Sequence, residues 1–207
     1  MGSSDMTHTI GNEQQNLKLE HLARLVEAKS KEFNITSIKD YDSIWQKHVL
    51  DSLELLKLQP FLGAAPKKVL DIGTGAGFPG LPLAIAKPEW QFTLLDSTKK
   101  KVDVVAEFVR ELELGNVDTK WGRAEEISPD LYDLVIARAV SYLPDLLSLC
   151  NPLLSQNGFI ASYKSYSPKE LAAGLKIASN IDLSLVKEHR YQLGDNERVI
   201  WLFRKGV

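Results

Sequence analysis

Apolar positions recur at three- and four-residue steps through residues 13–33, a stretch rich in Leu, Glu, Lys and Ala with Leu22, Leu25 and Val26 on one side. That period predicts an amphipathic helix. Asn34-Ile35-Thr36-Ser37 breaks it. Asp40 or Asp42 then caps a second helix running to about Leu58. On it Ile44, Trp45, His48, Val49, Ser52, Leu53 and Leu56 share a face, because such steps stack side chains. Pro60 and Pro66 punctuate a linker.

From Lys67 the period shortens, and brief β-branched apolar runs alternate with longer amphipathic ones. Strands are predicted at Val69–Ile72, Phe92–Asp96, Val117–Trp121, Tyr132–Ala137 and Gly158–Lys164. Helices are predicted at Gly80–Lys87, about Lys99–Leu112, Leu143–Leu154 and Pro168–Ser179. This alternation means a parallel sheet with right-handed crossovers. The end differs: Leu183–Gln192 and Arg198–Arg204 read as two strands of a hairpin turning at Gly194-Asp195-Asn196-Glu197. The expected fold is α/β and Rossmann-like, a mostly parallel seven-stranded sheet closed by a C-terminal antiparallel hairpin, an architecture associated with class I methyltransferases. Residues 63–207 form that domain, 10–62 an N-terminal helical extension, and 1–9 a disordered or tag-derived tail.

Composition narrows the classes. The 207 residues are 44% hydrophobic and 25% charged, an ordinary globular balance. One cysteine, Cys150, excludes a disulfide framework and a cysteine-based zinc site, and no metal is expected. No apolar run spans a bilayer, and the N-terminus lacks the apolar middle of a secretory signal. The expectation is a cytoplasmic monomer without membrane contact. A net charge of −2 argues against coating nucleic acid non-specifically, yet leaves room for a local basic surface.

The chemistry concentrates at Asp71-Ile72-Gly73-Thr74-Gly75-Ala76-Gly77-Phe78-Pro79-Gly80, where a strand passes into a helix. Glycines there permit a sharp turn and close approach of a ligand to the backbone. Gly75-x-Gly77-x-x-Gly80 fits the dinucleotide fingerprint. Asp71, two residues ahead of Gly73, would repel a pyrophosphate, whereas it suits the ammonium and sulfonium of S-adenosylmethionine. Asp96 ends the next strand, 25 residues on, where a carboxylate accepts from ribose hydroxyls. After the third strand, the backbone of Ala124 and Glu125 is placed to meet an adenine edge. The bland alternative makes these glycines a tight turn, the aspartates helix caps, and 122–126 a solvated loop leading into a turn at Ser128-Pro129.

These pieces resemble the RsmG (GidB) family of bacterial 16S rRNA guanine-N7 methyltransferases. The matching segments are Asn34-Ile35-Thr36-Ser37, His48-Val49-Leu50-Asp51-Ser52-Leu53, Asp71 to Pro82, Leu94-Leu95-Asp96-Ser97, Arg123-Ala124-Glu125-Glu126, Ala137-Arg138-Ala139, Tyr163-Lys164 and Glu197-Arg198, in the expected order. The Phe78-Pro79-Gly80 continuation and the His-x-x-Asp-Ser block are its narrowest parts. The resemblance implies cofactor contacts at Gly73, Phe78, Ala124, Glu125 and Arg138, with Asp96 on the ribose, and an active region containing Asn34, His48, Arg123, Lys164 and Arg198. Its implied partner is 16S rRNA within the small ribosomal subunit. Ala76 stands where the family often has proline, and Ser165 where glycine often follows the lysine.

Methyl transfer from a sulfonium needs nucleophile, methyl and sulfur in line, with water excluded. Guanine N7 has an in-plane lone pair, so no general base is required. The fourth strand ends in Ala137-Arg138-Ala139-Val140 rather than the Asp/Asn-Pro-Pro-aromatic block of exocyclic-amine methylation. Cys150, within a predicted helix, is poorly placed as a pyrimidine nucleophile. Arg138 and Lys164, at the ends of strands four and five, are expected beside the methyl group. His48 is read either as a hydrogen-bonded core residue or as one that contacts RNA or fixes Asn34, with Asp51 as its partner. Trp45 and Trp121 are candidates for base stacking or for core. Lys99-Lys100-Lys101 with Arg110, and Arg190, Arg198, Arg204 and Lys205, form the basic surface. Two readings compete: a class I methyltransferase acting on a small molecule or another RNA, and an NAD-binding oxidoreductase or non-catalytic Rossmann domain.

Overall fold

The computed structural model describes residues 11–65, 67–127 and 131–206. The expected tail 1–9, Pro66 and the Ser128-Pro129 turn lie outside the described residues.

Helix α1 (Glu13–Glu32) opens on a capping box in which Asn12 and Gln15 satisfy each other's backbone N–H groups. Asp40 is the cap of the next helical stretch, accepting from Ser43 N at 2.8 Å at the start of α2 (Tyr41–Ile44). The single regular helix expected up to Leu58 does not form. The chain widens into a π-helical segment (Trp45–Leu50), passes through α3 (Asp51–Leu53), tightens into a 3-10 segment (Glu54–Leu58) and ends in α4 (Gln59–Leu62). Pitch changes of this kind move side chains off one regular face. Asp51, Ser52 and Leu53 are consequently all buried in succession. The carbonyls left over find other donors: Ser52 Oγ bonds to His48 O at 2.5 Å, and Tyr163 OH reaches Ser52 O at 2.7 Å.

The α/β part runs β1 (Lys68–Ile72), α5 (Gly80–Ala86), β2 (Gln91–Asp96), α6 (Lys99–Glu111), β3 (Val117–Trp121), β4 (Tyr132–Arg138), α7 (Leu143–Cys150), β5 (Leu154–Ser165), α8 (Pro168–Ala178), β6 (Leu183–Leu193) and β7 (Asn196–Lys205). The strands form a seven-stranded sheet in the order β3-β2-β1-β4-β5-β7-β6. All pairs are parallel except those of β7 with β5 and β6. The expected architecture is therefore the observed one, with shifted edges. Pro152 sits in a 3-10 turn (Asn151–Leu153), so α7 ends at Cys150 and β5 begins at Leu154 rather than Gly158. The hairpin closes in two residues, Gly194 and Asp195, with Leu193 already paired to Asn196.

Alternate strand residues feed two apolar layers. Val69, Phe92, Leu94 and Tyr163 pack with α5, α6 and the N-terminal Leu22, Val26, Val49 and Leu55. Leu70, Leu95, Val135 and Trp201 pack with α7 and Cys150 on the other side. Burial pushes the Cys150 thiol up. The N-terminal helices thus share their core with the sheet and come to lie near the ends of β1 and β4. Those two strands flank the switch point of the sheet, where open α/β folds bind ligands at the carboxyl ends.

Candidate active site

Two strand-end acids hold the glycine loop. Asp71 is fully buried, and its Oδ2 accepts from Thr74 Oγ1 at 2.7 Å and from Gly80 N at 2.9 Å. A Cβ on Gly80 would lie 2.7 Å from that oxygen and collide with Leu94, so the position requires glycine. Burial, opposed by those two hydrogen bonds, pushes the Asp71 pKa up to about 7. Its Oδ1 is buried with no hydrogen-bond partner among the described residues. Asp96 Oδ2 accepts from Gly75 N at 2.9 Å, and Oδ1 from Thr98 N at 2.8 Å. Gly75 makes that contact at φ +60°, a left-handed conformation that favours glycine.

The dinucleotide reading fails at Gly80. Its N–H opens α5, where a pyrophosphate oxygen would bind, and the Asp71 carboxylate already occupies it. The site fits S-adenosylmethionine instead. Asp71 anchors the loop from beneath, Gly73 and Gly75 present their backbone to the cleft, and each Asp96 oxygen retains accepting capacity.

Phe78, 3% exposed, forms the floor. His48 stacks on it with ring centroids 4.8 Å apart, and the Arg138 guanidinium lies 5.6 Å from its centroid. Arg138 Nη1 donates to Asp51 Oδ2 at 2.9 Å and to Lys47 O at 3.1 Å. Its Nη2 donates to His48 Nδ1 at 3.0 Å. Nδ1 also lies 3.1 Å from Lys47 O, and Nε2 lies 2.9 Å from Thr36 Oγ1, so both ring nitrogens are engaged. Burial, then the Arg138 charge, lower the His48 pKa to about 4, which favours the neutral imidazole. Asp51, 1% exposed, completes the knot, its Oδ1 accepting from Tyr191 OH at 2.7 Å with Arg198 Nε 3.8 Å away. Lys47, His48, Asp51, Arg138 and Arg198, with Gly73 to Ala76 and Phe78 of the glycine loop, line a cleft of about 530 Å³.

The profile of one family, rRNA small subunit methyltransferase G, or GidB, matches residues 15–198. The chain belongs to the GidB family. A ribosomal RNA small subunit methyltransferase G from Aeromonas salmonicida is 38% identical over 192 residues, covering 92% of this chain and 88% of that protein. Among solved structures, a methyltransferase from Pyrococcus furiosus superposes with a TM-score of 0.64 at 13% identity, over 95% of this chain and all of that one. M. jannaschii TYW2 in complex with AdoMet superposes with a TM-score of 0.61 at 15% identity, over 76% of this chain and 77% of that one. As a methyltransferase, this GidB-family chain uses S-adenosylmethionine as its methyl donor.

Not every expected site residue of this GidB-family chain reaches the cleft. Lys164, 11% exposed at its side chain, is bound to Glu170 Oε1 at 2.9 Å and to Ser141 O, outside the cleft lining. Asn34 is exposed, and His48 fixes Thr36 rather than Asn34. Asp51 bonds to Arg138 and Tyr191 rather than to His48, because the imidazole already has Arg138 and Thr36 as partners. Ala124 is buried between exposed Arg123 and Glu125 in a 3-10 turn (Ala124–Glu126), anchored through Gly122 N to Asp96 O at 3.1 Å. Gly77 turns the loop below Phe78 at φ +92°. Trp45 stacks on Tyr41, whereas Trp121 is 61% exposed. The basic run is partly occupied, with Lys99 on Asp103 at 2.9 Å and Lys100 over the Phe33 ring. Sequence reasoning missed Thr36, Tyr191 and the central place of Asp51. The one local signal was a carboxylate three residues beyond His48 in a buried stretch.

Proposed function

We propose that this chain transfers the methyl group of S-adenosylmethionine to N7 of a guanine in 16S rRNA of the small subunit, acting as a cytoplasmic monomer. Asp71 and the backbone of Gly73, Gly75 and Gly77 receive the methionine part of the cofactor, and Asp96 the ribose. Ala124 and Glu125 meet the adenine, and Phe78 walls the methyl end. When bound, the cofactor supplies an electrophilic methyl at its sulfonium. The chain orients the base against it and excludes water.

The observation that carries this reading is the state of the ionisable groups lining the cleft. Among the described residues these are Lys47, His48, Asp51, Arg138 and Arg198. His48 Nδ1 is occupied by Arg138, and Asp51 is neutralised by Arg138 with Arg198 nearby. None is a free base. N7 needs none, whereas an exocyclic amine or hydroxyl would have to lose a proton. The excess of cations suits phosphate contacts and the acceptor edge of a guanine. Such groups act by positioning, since a positive site opposes the charge that develops on methylated N7. His48 and Arg198 complete the cleft in this reading, while Lys164, Arg123 and Asn34 act from its surroundings. No helix of the described residues is long and apolar enough to cross a membrane, which supports a soluble setting.

The test is tritiated methyl transfer to small-subunit particles lacking the modification, to naked 16S RNA and to large-subunit RNA, followed by mapping of the modified base. Label on a guanine N7 of small-subunit RNA alone is expected. Cofactor binding without label on any RNA would overturn the reading in favour of a small-molecule substrate.

A further inference from the structure

Behind the wall of the cleft formed by Asp51 and Leu193 lies a second cavity of about 500 Å³, to which both residues also contribute. Leu50, Leu53 and Leu56 give it apolar sides, and Gln46 and Gln192 are exposed on its lining. Tyr191 is held rigidly at its edge, with its hydroxyl on Asp51 at 2.7 Å and its ring stacked on His189 at 5.5 Å. The charges there are spent locally, because Glu54 bonds to Lys57 at 2.6 Å and to His189 at 2.7 Å. The glycine loop lines the first cleft and contributes nothing to this one.

We propose that the second cavity is a subsite for the base of a nucleotide next to the target guanine. The inference rests on the rRNA methyltransferase reading above. A nucleobase pairs two apolar faces with an edge of donors and acceptors. This cavity pairs leucine sides with two primary amides, each able both to donate and to accept. Its locally neutral charge suits a base rather than a phosphate. The cations that would follow the backbone, Lys47, Arg138 and Arg198, lie in the adjoining cleft. The shared wall makes the two cavities neighbours, so consecutive nucleotides splayed apart occupy one each. Single-stranded RNA is read in this way, by unstacking bases into separate pockets.

The test uses the full chain with naked 16S RNA and with assembled particles. Gln46→Ala/Gln192→Ala removes only exposed amides, and Leu56→Trp fills the cavity. With the double variant, KM for naked RNA is expected to rise about tenfold, the loss of one to two neutral hydrogen bonds, while kcat and cofactor Kd stay unchanged. Leu56→Trp should behave alike, and RNA carrying 6-thioguanosine or 4-thiouridine beside the target should cross-link to 46–57 or 191–193. Wild-type KM in both variants on naked RNA, with the wild-type enzyme active, overturns the subsite and leaves the functional reading standing. A rise confined to assembled particles also overturns it and makes the occupant a protein segment. Absence of RNA methylation by the wild-type chain overturns both.

Discussion

Asp51 and Arg138 stand 87 residues apart in sequence, and their side chains meet at 2.9 Å. The carboxylate comes from the irregular N-terminal helical stretch and the guanidinium from the end of β4. One buried ion pair therefore ties that stretch to the strand end facing the glycine loop. Removing one partner of such a pair leaves the other charge buried and uncompensated. Asp51→Ala should cost about 3 kcal/mol in stability and abolish methyl transfer, with Asp51→Asn intermediate. Chemical denaturation alongside turnover checks this, and a fully active Asp51→Ala enzyme would dispose of the role.

The pH dependence of stability should carry two opposed contributions. Asp71 has its pKa raised from 3.8 to about 7, so the folded chain binds more protons than the unfolded one between those values. Its contribution is full below 3.8 and declines as pH rises through about 7. His48 is lowered from 6.5 to about 4, so its contribution is full above 6.5 and is lost as pH falls through about 4. Asp71→Asn should leave stability rising with pH over that shared window, and His48→Gln should leave it falling. Denaturation midpoints at pH about 4.5 and about 6.5 decide it; slopes of the same sign in both variants would contradict the assignment.

Cofactor uptake should release a proton below pH about 7, because a cationic ligand favours the ionised form of Asp71. Calorimetry in buffers of different ionisation enthalpy measures the release. It should vanish in Asp71→Asn, together with much of the affinity. An unchanged proton count in that variant would place the titrating group elsewhere.

How far the sequence could be read depends on the range of each interaction. The strands, their order of helices and the glycine loop were legible because period-two and period-3.6 patterns and turn glycines are local. That Asp71 and Asp96 flank the glycine loop followed from their places at strand ends. The π-helical turn at Trp45–Leu50 was invisible, since no residue type marks it. The partners of Asp51 were equally so: Arg138 and Tyr191 lie 87 and 140 residues away, and only tertiary packing brings them together. His48 illustrates the middle case. Its buried setting was readable, but the choice of Thr36 over Asn34 depended on which of two nearby side chains turns inward.

Lys164 serves Glu170 and the Ser141 carbonyl, and so steadies the loop that follows Arg138. Lys164→Ala should lower kcat about a hundredfold, the scale expected when reacting groups shift by about an ångström, with cofactor Kd within about twofold. Single-turnover kinetics with calorimetry separates the two. A large loss of cofactor binding would assign Lys164 to the cofactor site instead.

Lys47 lines the cleft with its ammonium uncommitted to any carboxylate among the described residues. Lys47→Ala should weaken RNA binding and reduce the slope of log affinity against log salt by about one. An unaltered slope would mean that no phosphate binds there.

The burial of Cys150 leaves the folded chain without a reactive thiol on its surface. Maleimide reagents should pass over the native protein, so a single cysteine introduced at an exposed position would be the sole point of attachment for a fluorophore or spin label. The molecule is in that sense already a blank frame for distance measurements, and the path of RNA across the two cavities can be followed without first stripping out a native sulfhydryl.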